Sequence, residues 1–158
     1  MPDTRMYAVG VISDTHGLLR IEALAALQGS DYIIHAGDVG DPQILRELEQ
    51  IAPITVVRGN VDAGKLRQLP DSSILEVGQI SIYVLHDLNQ LDLSPAAAGF
   101  QVVISGHSHQ PAIEWRNDVL YFNPGSAGPR RFKLPITVGR LRVSGKLIEP
   151  EIITLIEG

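Results

Sequence analysis

The sequence predicts an α/β fold, a two-sheet αββα sandwich in which two β-sheets pack face to face with helices outside. Three observations lead there. Strand-like and helix-like segments alternate from Tyr7 to Val57, strand-like segments dominate the remainder, and apolar runs end repeatedly in metal-ligating side chains. No repeat, low-complexity tract or polar linker divides the chain, so residues 1–158 read as one domain. A chain of this length buries roughly two thirds of the surface its unfolded form exposes.

Each element follows from local pattern. "YAVGVIS" (7–13) is a continuous apolar run of the kind buried in parallel sheets. "LLRIEALAALQG" places Ile21, Leu24 and Ala25 at helical spacing and stops at Gly29. "YIIHAG" (32–37) is a second strand. Asp41 and Pro42 read as an N-cap and a first helical residue, and Ile44, Leu45, Leu48 and Ile51 form the apolar stripe of the helix they start. "ITVV" (54–57) is a third strand, and the β-α-β-α-β order implies parallel pairing through right-handed crossovers. Beyond it, "SSILEV" and "ISIYVLH" flank Gly78–Gln79, a two-residue hairpin signal. Ser94 to Ala98 reads as a short helix ended by Gly99. "VVIS" (102–105) precedes "AIEW" and "VLYF", joined around Asn117–Asp118, and "ITVGRLRV" and "KLIEPEIITLI" are joined around Ser144–Gly145. So many strands with few helices require a second sheet facing the first.

Composition narrows the function. Hydrophobic residues make up 44% and charged residues 20%, ordinary for a soluble globular chain. No apolar run nears the ~20 residues that span a bilayer. The start has no long apolar core or small-residue cleavage site, so no secretory signal is expected. Met6 directly precedes the first apolar run, which makes residues 1–5 read as an optional extension. The absence of cysteine rules out disulfides, thiolate metal sites and a cysteine nucleophile, and fits a cytoplasmic location. At a net charge of −5, with no Lys/Arg cluster larger than pairs such as Arg130–Arg131, there is no nucleic-acid footprint. A small phosphate substrate stays compatible, because bound metal reverses the local sign. The strand-rich C-terminal half offers edges through which a homo-oligomer could form.

The polar residues at the strand ends are of one chemical kind. Successive apolar runs end in Asp14 and His16, in Asp38, in Asn60, in His86, and in His107 and His109. Ligands bind at such ends in open α/β sheets. The chain has five histidines, and four of them fall here; a lone strand-end histidine is more often a structural hydrogen-bonder, but four of five beside two aspartates and an asparagine are not. Imidazole and carboxylate together suit Mn, Fe, Ni, Co or Zn. A mononuclear zinc site uses about four donors. Seven suit two ions. In Asp14-x-His16 and His107-x-His109, donors two apart point the same way if the chain is extended. A central carboxylate, Asp38 foremost, would bridge the ions.

Taken in order, "DTH" (14–16), "GDVGD" (37–41), "GNVD" (59–62), His86, "GHSH" (106–109) and "NPGS" (123–126) resemble the calcineurin-like metallophosphoesterase superfamily, in its small bacterial and archaeal phosphodiesterase branch. The resemblance runs from about residue 7 to the end of the chain. It implies a binuclear centre in which Asp14, His16, Asp38 and His109 hold one metal and Asp38, Asn60, His86 and His107 the other. Mn2+ is the first choice, ahead of Ni2+, Co2+, Fe2+ or Zn2+. It also implies hydrolysis of a small organic or nucleotide phosphodiester by metal-bound hydroxide, the ions lying ~3.5–4 Å apart. Asp38, Asn60 and His107 are the expected catalytic residues. Asn60 and Arg130 are the expected substrate contacts, Arg130 weighed against a solvated arginine beside proline.

Two departures stand out against that pattern. Val61 fills the place of a histidine or cysteine that protonates the leaving group, a contribution typically worth 10²–10⁴-fold, or about 3–5 kcal/mol. Asp62 then has no imidazole to orient, and either pairs with Arg58 or caps the turn. After His86 the chain reads Asp87-Leu88 where many relatives have Gly-His; Asp87 either orients the His86 ring or is a plain loop aspartate. His35, inside a strand, reads as structural, Asp41 as a cap, and Asn123 and Ser126 as shapers of a loop near the metals. The competing function is a catalytically weak or inactive scaffold that binds proteins, as the retromer subunit with this fold illustrates. The complete donor set favours the enzyme.

Overall fold

A computed structural model describes residues 5–158, so residues 1–4 of the expected extension lie outside the described residues. The elements, in chain order, are β1 (Tyr7–Ile12), α1 (Ile21–Leu27), β2 (Tyr32–His35), α2 (Pro42–Glu49), β3 (Ile54–Val56), β4 (Ser72–Val77), β5 (Ile80–Leu85), α3 (Pro95–Ala98), β6 (Val102–Ile104), β7 (Ala112–Arg116), β8 (Val119–Asn123), β9 (Ile136–Ser144) and β10 (Leu147–Ile156). Short 3-10 turns cover Gly64–Gln68 and Leu88–Gln90.

Two five-stranded sheets result, ordered β10-β9-β1-β2-β3 and β4-β5-β6-β8-β7. In the first, β1, β2 and β3 run parallel, as the crossover helices require, and β9 and β10 complete it antiparallel. In the second, β5, β6 and β8 run parallel between antiparallel edges β4 and β7. The period of two along β1 divides its side chains between layers. Val9 and Val11 join Ile34, Ile82, Ile104 and Phe122 in the core between the sheets, whereas Ile12 joins Leu27, Ile33 and Leu48 beneath the helices. The outer layer over the second sheet is thin: Leu85, Val103 and Val119 are covered by Leu88, Leu91 and Tyr121. The αββα sandwich is present, with its second helical layer reduced to α3 and a 3-10 turn. Among the described residues, no helix is long and apolar enough to cross a membrane.

Three local expectations are sharpened or corrected. Asp41 accepts the Gln43 amide at 2.9 Å and caps α2, with Pro42 at the first helical position. In α1 the expected stripe holds only at Leu24, half-buried against the core: Ala23 and Leu27, four apart, are its buried residues, and Ile21 is 80% exposed. A helix this short and apolar offers several plausible stripes, and packing chooses among them. The last hairpin turns on Gly145 and Lys146, since Ser144 already pairs with Leu147.

Candidate metal centre

The donors converge because the parallel strands of both sheets end beside one another. The Asp14 amide donates to the Gly37 carbonyl and the His16 amide to the Asp38 carbonyl, tying the loops after β1 and β2. The Gly106 amide donates to the His86 carbonyl, tying those after β5 and β6, and the His107 amide joins the two pairs at Asp14 Oδ2. The backbone is unusual there. Asp14, His16, Asp38, His107 and His109 all have positive φ, between 47° and 71°, and they are five of the eight such non-glycine residues described. Each costs on the order of 1–3 kcal/mol and persists only where the surroundings over-determine it. Asp14 and His16 therefore meet through left-handed turns rather than through the extended alternation expected. His107 and His109 do not point the same way: the His109 ring lies 5.2 Å from that of His16, and the His107 ring 5.2 Å from that of His86.

Five of the seven expected donors form two overlapping groups of ion-binding size. Asp14, His16 and His109 make one, and Asp14, Asp38 and His86 the other, with ligand atoms in each group within 4.8 Å of one another. Asp14 Oδ1 lies 3.4 Å from His109 Nε2, 3.7 Å from His16 Nε2 and 3.9 Å from His86 Nε2. Asp38 Oδ2 lies 3.1 Å from His86 Nε2 and 3.7 Å from His16 Nε2. Both carboxylates thus face histidines of both groups. Asp14 Oδ1 and His86 Nε2 are buried without a hydrogen-bond partner. Native proteins rarely leave such atoms alone, and a divalent ion is the partner this donor set fits.

The remaining polar atoms of Asp14, Asp38 and His86 are held by the protein. Asp14 Oδ2 accepts from the Ser13 hydroxyl at 2.7 Å and from the His107 amide at 3.1 Å. Asp38 Oδ1 accepts from the Val61 amide, and His86 Nδ1 donates to the Ala36 carbonyl at 2.7 Å. That leaves one oxygen per carboxylate and the Nε2 of His86 directed inward, the orientation outer hydrogen bonds commonly impose on metal ligands. Close packing sustains it. A Cβ on Gly59 would stand 2.1 Å from Asp38 Oδ1, and one on Gly106 would stand 2.0 Å from Ser13 Oγ.

The other expected site residues fall as follows. Asn60 is exposed on the wall of a cavity that also reaches His86. His107 is 43% exposed, outside both groups, with its Nε2 3.9 Å from Asp87 Oδ2. Arg130 donates to the carbonyls of Leu134 and Glu157, so its guanidinium ties down the C-terminal segment, contrary to the expected phosphate contact. Its neighbour Arg131 is the arginine whose charge reaches His16. Asp87 caps the 3-10 turn at Asn89 and does not orient His86, whose ring is already bonded to Ala36. Val61 is 56% exposed.

Asp62 caps its turn, as one of the two expected alternatives had it, and reaches further than the sequence indicates. It is buried and accepts three backbone amides, those of Asp38 at 3.0 Å, Gly40 at 3.1 Å and Gly59 at 2.8 Å. Arg58 pairs with Asp71 instead. His35 is structural as expected: buried, it meets the Thr15 hydroxyl and accepts the Gly37 amide, and burial pushes its pKa down to about 4. Asn123 donates to the Gly106 carbonyl and Ser126 to the Asp14 carbonyl, fixing the loops that carry the ligands.

Charge coupling gives the site a pH signature. Burial alone would raise the pKa of Asp14, but the His109 and His16 rings beside it and the Ser13 hydroxyl hold it far below the usual carboxylate range. Asp38 is likewise lowered, against burial, by His86 and the Val61 amide. His16 is raised by the adjacent Asp14 carboxylate, and His86, against burial, by Asp38 and Asp14. In metal-free protein the raised histidines contribute stability that is complete below their unfolded pKa of about 6.5 and is lost as pH rises through their folded values. The lowered aspartates contribute stability present above about 3.9 and lost as pH falls through their folded values. Metal needs the imidazoles neutral, so its stabilising effect runs the other way. Thermal unfolding from about pH 5 to about pH 8, with chelator or with a divalent metal, should show a metal-induced rise in Tm that grows with pH. A rise that is flat or shrinks with pH counts against these ligands.

A profile of the calcineurin-like phosphoesterase superfamily domain matches residues 7–146. A probable metallophosphoesterase of Methanothermobacter thermautotrophicus is 36% identical, with 92% of this chain and 91% of that protein aligned. The phosphodiesterase YfcE of Escherichia coli strain K12 is 27% identical over 82% of this chain and 84% of its own length. Among solved structures, vacuolar protein sorting 29 from Cryptosporidium parvum superposes with a TM-score of 0.77 over 96% of this chain and 99% of its own, at 16% identity, a likeness of fold alone.

Proposed function

We propose that this chain, which belongs to the calcineurin-like phosphoesterase superfamily, is a binuclear metal-dependent phosphodiesterase acting on a small organic or nucleotide phosphodiester. The observation that carries this is the buried, partnerless pair Asp14 Oδ1 and His86 Nε2 within a cluster of two carboxylates and three imidazoles. When bound there, two divalent ions, manganese first, supply Lewis acidity toward a phosphoryl oxygen and a lowered pKa for coordinated water. The chain's own residues do the rest. Asp14, His16 and His109 would hold one position, Asp14, Asp38 and His86 the other, and Asn60 and His107 would complete the second from the rim. Asn60, as a neutral donor on the cavity wall, contacts the substrate phosphoryl group.

Two cavities support a diester rather than a monoester. One of about 540 Å3 adjoins Asn60 and His86, and another of about 340 Å3 adjoins His107. Each substituent of a diester then has its own place.

The protein reconstituted with Mn, Ni, Co or Zn, with Asp38→Asn as control, should hydrolyse an activated aryl phosphodiester faster than the matching monoester. No turnover above the control with any of these metals sinks the proposal. Val61→His tests the missing proton donor. The exposed position accepts an imidazole, and the Val61 amide bond to Asp38 is untouched by the change. Turnover should rise at least about tenfold on poor leaving groups and little on activated ones. No difference between the two means that another residue already delivers the proton. A scaffold function is the second reading, favoured by the exposed valine at the acid position; it predicts metal binding without turnover.

A further inference from the structure

We propose that the cavity beside His86 binds the alcohol portion of the substrate and selects a phosphodiester bearing a cationic or uncharged polyhydroxy alcohol over one bearing an anionic group. This rests on the phosphodiesterase reading and adds a substrate class to it.

The cavity, of about 540 Å3, is large enough for a small organic group. Asn60 and His86 on its wall join it to the metal-ligating cluster, and buried Tyr83 and Leu85 also line it. Its charges are unequal. Asp71, Asp87 and Asp92 line it against a single cation, Arg58. Arg58 is already committed, donating to the Asp71 carboxylate and to the Arg67 carbonyl at 2.9 Å. Asp87 and Asp92 are left to set the sign: the first caps the turn at Asn89 and has the half-exposed His107 at 3.9 Å as its ion-pair partner, and the second has no ion-pair partner among the described residues. The track from the cluster into the cavity therefore runs from a place suited to an anionic phosphoryl group to one suited to a cation. A carboxylate or second phosphate in the cavity would meet uncompensated negative charge, and repulsion of that kind is an effective source of specificity.

The test uses three aryl phosphodiesters that share one activated leaving group and differ in the second substituent: choline, glycerol or 2-carboxyethyl. Manganese-loaded protein should show kcat/KM at least about tenfold higher for the choline and glycerol esters than for the 2-carboxyethyl ester. Asp92→Lys, a change at an exposed position outside the ligand set, should narrow the choline preference at least about threefold with bound metal unchanged. Calorimetry gives a readout apart from turnover: phosphorylcholine should bind at least about tenfold more tightly than 2-carboxyethyl phosphate. Equal affinities, or a preference that Asp92→Lys leaves intact, overturn the proposal. Turnover of none of the three esters overturns the phosphodiesterase reading instead, and the calorimetric ratio still decides the charge preference.

Discussion

Replacing Asp14 by asparagine should lower metal affinity at least about 100-fold and bring metal-dependent turnover to background, while leaving the protein folded. Changes to groups that merely support ligands typically cost 10–100-fold, so the loss of a carboxylate oxygen common to both ion-sized groups should cost more. Neither amide orientation rescues it. With the amide oxygen toward Ser13 and the His107 amide, the NH2 is thrust among the three imidazole nitrogens that surround Asp14 Oδ1. Turned over, the NH2 faces two donors. The metal-free variant carries a second readout. The leading cause of the raised pKa of His16 is the Asp14 carboxylate beside it, so its ring should titrate lower in the variant when followed by NMR. An unchanged His16 titration, or metal affinity within about threefold of the parent, would refute this account of Asp14.

Asp62→Ala should destabilise the protein by about 3 kcal/mol and weaken metal binding 10–100-fold. Three amides lose their acceptor. Gly40 is exposed and water replaces the carboxylate there, but Asp38 and Gly59 are buried, and each buried unsatisfied amide costs about 1–3 kcal/mol. Metal binding suffers because two of those three bonds fix the turn that presents Asp38. Asp62→Asn should fall between parent and alanine, since one oxygen remains to accept. Denaturant unfolding and metal titration check both. If Asp62→Ala costs under about 1 kcal/mol, the carboxylate is not the clamp described.

The long-range partners of Asp62 show where sequence reasoning stops. Apolar runs and their polar ends are local features, so the parallel pairing of β1, β2 and β3, the cap at Asp41, the structural role of His35 and the clustering of Asp14, His16, Asp38, His86 and His109 were all legible. The partners of Asp62 include the amides of Asp38 and Gly40, 24 and 22 residues upstream, and backbone donors leave no mark in a sequence. The same holds for the left-handed turns at Asp14 and His109: nothing in an aspartate or histidine announces a positive φ, so an extended chain was the natural assumption. Arg130 and Arg131 are indistinguishable as letters, and only the path of the chain after Pro129 sends one toward the carboxyl terminus and brings the other's charge to His16.

Asp14, His16 and Asp38 follow strands of the first sheet, and His86 and His109 follow strands of the second. An ion held by these groups is thus a bracket across the sandwich, and the sheets cannot part without releasing it. Such a site does not exist until both sheets have met, so metal does little to hasten folding. Its effect falls on the reverse step: a loaded molecule must surrender the ion before or while it opens. Loading should lengthen the lifetime of the native state, and with it resistance to proteolysis that requires sheet separation, more than it changes the rate of assembly.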